Sequence, residues 1–68
     1  MKIRDAITTA IRDRNYILMT QVVDMLRLKY GMTCEGMREY FEKVSGQAIE
    51  PPRWDEWMQE CDAISSYL

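Results

Sequence analysis

A chain of 68 residues with no histidine and only two distant cysteines has at most one disulfide, and no full set of zinc ligands, to supplement its side-chain packing. A structural zinc site asks for four Cys or His ligands, and Cys34 and Cys61 supply half a set with no Cys-x-x-Cys pair. Their pairing as a disulfide cannot be read from the sequence. The simpler expectation is two reduced thiols in or near the core, where a free cysteine behaves as a small hydrophobe. A domain this short removes only about 60% of its unfolded surface from water. Its elements must therefore be few and well patterned. Hydrophobic residues make up 47% of the chain and charged residues 29%, with no low-complexity tract, which favours a folded domain over disorder.

The pattern is helical. Ile3, Ala6, Ile7, Ala10 and Ile11 recur at spacings of three and four and predict a first helix over about 3–13. Asn15 is the expected terminator. Tyr16-Ile17-Leu18-Met19 is an unbroken apolar run too short for periodicity to classify. It is read as extended, with Thr20 capping a helix from Gln21 to Tyr30. Val22, Val23, Met25, Leu26, Leu28 and Tyr30 form more than one stripe, so this helix is expected to be central and buried on more than one side. Gly31 takes the glycine position past its end. Thr33 caps a third helix with Cys34, Met37, Phe41 and Val44 inward, Tyr40 beside them, and Glu35, Arg38, Glu39, Glu42 and Lys43 outward; Gly46 ends it. Gly36 in its first turn marks either a close helix crossing or nothing. Gln47-Ala48-Ile49 is short and open to extended structure. The prolines of Glu50-Pro51-Pro52 make a stiff connector. A last helix follows over about 52–66. Its Trp54, Trp57, Met58, Cys61, Ile64 and Leu68 make the cleanest amphipathic pattern in the chain.

The expected architecture is a small, mostly helical four-helix domain with at most a vestigial β pairing. It has a helix-turn-helix-like core over 1–49, and a connector with an amphipathic helix over 50–68 packed on the same core.

The composition argues against chemistry. Without histidine there is no Ser-His or Cys-His nucleophile pair, and no glycine-rich phosphate loop is present. Glu35, Glu39 and Glu42 share a helix face, but the interleaved Arg38 and Lys43 make a solvated charge lattice the better reading than an acid–base site. Cys34, in the first turn of a capped helix, has one sharper alternative as an activated thiol. The chain is expected to be a binding protein rather than an enzyme, with no cofactor and no metal. It has no secretory-type apolar run at its start and no stretch approaching a membrane span, so a cytoplasmic location and no membrane partner are expected. Charge is uneven. Residues 1–49 carry eight Lys and Arg against six acids, whereas residues 50–68 carry Arg53 against five. That asymmetry weakens bulk attraction to nucleic acid without removing a local basic face.

From Ala6 to Ile49 the order of features resembles winged helix-turn-helix domains. These have a first helix, a short strand, a Ser- or Thr-capped helix, a glycine-containing turn, a recognition helix, and a glycine followed by an apolar residue that opens the wing. Thr20, Leu26, Gly31, Thr33, Met37, Phe41, Gly46 and Ile49 carry those marks. The chain departs from the pattern where Pro51-Pro52 and an acidic, tryptophan-bearing helix replace the wing hairpin.

The resemblance implies a small DNA-binding regulator of transcription whose helix from Thr33 to Val44 enters the major groove of double-stranded DNA. Arg38 would read guanine, with Lys43 and Thr33 on the same element and Arg12, Arg14, Arg27 and Lys29 on the backbone. On this reading Arg38→Ala abolishes binding and leaves the thermal melt nearly unchanged. Three outward acids on that helix oppose it. The other reading is a protein-interaction module in which Trp54, Trp57 and Tyr67 anchor a protein partner; against it, both tryptophans have an ordinary role in sealing the core. A homodimer paired through the last helix suits either reading.

Overall fold

The computed structural model describes residues 2–67 and consists of four helices: α1 (Ile3–Asp13), α2 (Tyr16–Tyr30), α3 (Cys34–Ser45) and α4 (Pro51–Tyr67). Among the described residues there is no strand, so the domain is all-α. Leu68, placed by its spacing on the inner face of the last helix, lies outside the described residues. Among the described residues no helix is long and apolar enough to cross a membrane.

Helix α1 buries Ala6, Ile7 and Ala10, and its small alanines let it lie against both α2 and α3. Helix α4 packs along α2. The shared core gathers Met19, Val22, Val23 and Leu26 of α2, Met37 and Phe41 of α3, Ile49, and Trp54, Met58 and Cys61 of α4. Phe41 and Trp54 meet edge to face at 5.0 Å and fasten the start of α4 to α3. The Trp54 indole N–H donates to Cys34 Sγ at 3.3 Å. Both cysteines are free: Cys61 is buried as expected, while Cys34 is exposed.

Three expectations are corrected here. Helix α2 begins at Tyr16 rather than after Thr20. The Asn15 side chain accepts from the Leu18 N–H at 3.1 Å and is the real cap, so Asn15 starts a helix instead of ending one. The left-handed residue that ends α1 is Arg14, at φ 50°, with its N–H on Ile11 O and the Asn15 N–H on Ala10 O. Thr20 therefore lies within α2, fully buried, and its hydroxyl donates to Tyr16 O at 2.7 Å. The apolar run was ambiguous because a helix whose Asn cap is followed by four apolar residues leaves no polar position to show its period. Leu28 and Tyr30, expected inside, are exposed. The third helix and its ends match the expected signals. Thr33 Oγ1 accepts from the Gly36 N–H at 3.0 Å, and Gly31 and Gly46 adopt left-handed φ of 64° and 70°. A Cβ at Gly36 would lie 3.1 Å from that same Thr33 oxygen, so the glycine accommodates the cap rather than a helix crossing.

Candidate interaction surfaces

Helix α3 turns two of its five charges inward and leaves Glu35, Glu39 and Lys43 exposed. Arg38 Nη1 donates to Glu42 Oε1 at 3.1 Å and to the Ile49 carbonyl at 3.2 Å, while Glu42 Oε2 accepts from the Ile49 N–H at 2.8 Å. Glu35 stands 3.9 Å from the same guanidinium. Both backbone groups of Ile49 are thus satisfied by one Arg–Glu pair a helical turn apart, and the Ile49 side chain is pressed into the core. In a winged domain a β ladder would satisfy the backbone of this segment; here two side chains do it.

Of the residues expected to contact DNA, Arg38, Thr33, Arg27, Lys29 and Lys43 do not converge on one face. Arg38 is only 19% exposed and already has its partners. Thr33 gives its oxygen to the cap. Arg27 and Lys29 are both exposed but two residues apart on α2, hence about 160° apart around its axis. Lys43 sits at the far end of α3, beside a hollow it shares with Arg4, Tyr40 and Val44. Of the three residues expected to anchor a protein partner, Trp54 is 3% exposed and belongs to the core; it has no ring face to offer. Trp57 is half-buried, 6.3 Å from Trp54. Tyr67 is almost wholly exposed, on the outer side of α4.

Two features were not singled out from the sequence. The first is the outer face of α2. Ile17 is 60% and Leu28 83% exposed, eleven residues apart, which is three turns and about 16 Å along one side of the helix. Gln21 and Asp24 lie between them on the same side, both exposed. Their eleven-residue interval was the available signal, hidden because the same helix is also apolar on its inner side.

The second is a cleft of about 420 Å³ between the α1–α2 corner and the α3–α4 connector. Arg12, Arg14 and Arg53 line it against one carboxylate, Glu56, and the half-buried rings of Tyr16 and Trp57 form part of its wall. Arg12 is engaged by Asp13, Nε to Oδ1 at 3.0 Å, a contact that raises the guanidinium's pKa and lowers that of the carboxylate. Arg14 and Arg53 have no carboxylate partner among the described residues. Arg14 is also the one described non-glycine residue with positive φ, a conformation costing of order 1 kcal/mol that the other two left-handed helix ends meet with glycine.

Among the described residues no three His, Cys, Asp or Glu side chains gather as metal ligands would. Comparison with protein-family models, with curated proteins and with solved structures gives no match to this chain.

Proposed function

We propose that this chain is a non-enzymatic protein-interaction module that docks through the outer face of α2. The observation that carries this reading is the pair Ile17 and Leu28, held in water on one side of a helix whose opposite side is fully buried. In a chain with so small a core, each side chain would contribute about 1.5–3 kcal/mol if fully buried. A partner helix can supply that burial.

The stripe is also self-complementary. In an antiparallel pairing of two copies of α2, Ile17 of one meets Leu28 of the other, and the Gln21 amide faces the Asp24 carboxylate, which accepts its N–H. Each contact then occurs twice about a two-fold axis, as a closed isologous dimer requires. A second copy is therefore the occupant that fits this face. The contact is one helix wide, at the low end of specific interfaces, so the dimer is expected to dissociate in the micromolar range or above. Sedimentation velocity over a concentration series tests it. Wild type should pass from monomer to dimer, and Leu28→Glu should remain monomeric at every concentration. A wild-type chain that stays monomeric throughout removes the reading.

A second reading, a DNA-binding regulator, keeps one observation in its favour. Helices α2 and α3 are joined by the three-residue turn Gly31-Met32-Thr33, with α1 braced against both, as in helix-turn-helix proteins. Lys43 would then act with Arg4 and Lys2 rather than with Arg38, since these cations line adjoining hollows beside α3. Retardation of random-sequence duplex at low salt, weakened by Lys43→Ala, would support it; no retardation of any duplex would sink it.

A further inference from the structure

We infer that the cleft between the α1–α2 corner and the α3–α4 connector is a binding site for a phosphate ester joined to a flat ring, the chemistry of a mononucleotide. The charge comes first. On a chain of net charge −2, the cleft sets three guanidiniums against a single carboxylate, and two of the three have no carboxylate partner among the described residues. A guanidinium presents a planar fork of donors that matches the oxygens of a phosphate, and Arg14 and Arg53 reach the same cleft from distant parts of the chain, the α1–α2 corner and the first turn of α4.

Size comes second. At roughly 30 Å³ per water, about 420 Å³ is far more than a bare tetrahedral anion fills, so a ligand that used the whole cleft would extend beyond its phosphate. What it meets there is aromatic: Tyr16 and Trp57 offer half-buried rings on which a planar heterocycle can stack. The backbone supplies a third, independent sign. At the end of α1 the chain keeps an arginine in the left-handed conformation, where its own usage elsewhere is glycine, and that arginine's side chain lines the cleft.

The test uses the two tryptophans as their own control. Adenosine 5′-monophosphate is titrated into the full chain while the indole N–H signals are followed by NMR. Trp57 should shift saturably with a midpoint at or below about 1 mM, whereas Trp54, buried and bonded to Cys34, should stay in place. Arg14→Gly and Arg53→Gln should each weaken binding about tenfold or more. Arg14→Gly puts glycine where the backbone favours it, so its melt should not fall, and lost binding then reports the side chain. Inorganic phosphate alone and adenosine alone should each bind at least about tenfold more weakly. Any of four results overturns the inference: no saturable shift of Trp57, undiminished binding by Arg14→Gly, adenosine binding as well as its monophosphate, or inorganic phosphate doing so.

Discussion

Helices α2 and α3 are neighbours in sequence, separated by three residues, yet they treat their outward sides in opposite ways. Helix α3 carries the charged side that looks made for contact, yet Arg38 and Glu42 of that side turn inward to hold the backbone of Ile49. Helix α2 carries apolar residues that look made for the core, and two of them, Ile17 and Leu28, remain in water. The contrast teaches that residue type alone does not assign a helix face its role. A charge can be a structural tie when a backbone segment without secondary structure lies within its reach. An aliphatic side chain stays outside when it lies on the side of a helix that no other element covers.

Substitutions can break this comparison. The largest effect is expected from Arg38→Ala, which leaves Glu42 half-buried without its cation and removes one partner of the Ile49 carbonyl. Chemical denaturation should show a loss of about 1–3 kcal/mol, contrary to the unchanged melt expected if Arg38 served only a ligand. A double-mutant cycle with Glu42→Gln should show coupling between the two positions. If Arg38→Ala melts as wild type does, the inward role of α3 is wrong. Next is Asn15→Ala, which removes the cap of α2 and should cost about 1 kcal/mol; an unchanged denaturation midpoint would mean that the helix starts elsewhere.

A smaller effect concerns Cys61, on the inner side of α4 against Thr20. Burial, the leading cause, pushes its thiol above the ordinary value of 9.0, with the Thr20 hydrogen bond opposing. The folded state therefore holds the proton more tightly than the unfolded chain does. That contribution is fully present below about pH 9 and is lost as pH climbs through the folded value. Wild type should lose stability on raising pH beyond that point more steeply than Cys61→Ala, as followed by denaturation at matched ionic strength. Equal slopes would mean that Cys61 ionises as freely folded as unfolded. The smallest stability effect belongs to Leu28→Glu. With its side chain already in water, the monomer's melt should stay within about 0.5 kcal/mol of wild type even as self-association disappears. A large drop would place Leu28 in the core after all.

Much of the fold was legible in the residues. The threonine and two glycines that bound α3 and close α2 are local devices, since a side-chain cap and a left-handed glycine act within a few residues and need no tertiary partner. The inner side of α4 was equally clear, because Trp54, Met58 and Cys61 repeat at three and four against a polar background. Helix α2 failed at its start because its periodicity was masked by apolar residues all round. The candidate surfaces were less legible still. Arg14 and Arg53 are 39 residues apart in sequence and come together only where two corners of the fold meet.

The sequence by itself determined four helices and most of their ends, because propensity, capping and hydrophobic period are short-range properties. Only the tertiary structure decided which tryptophan is core and which lines a cleft, whether Arg38 faces solvent or Ile49, and which apolar residues of α2 stay in water. Those outcomes depend on which elements happen to lie within a few ångströms of one another. Burial and pairing are settled at that range, between residues far apart in the chain.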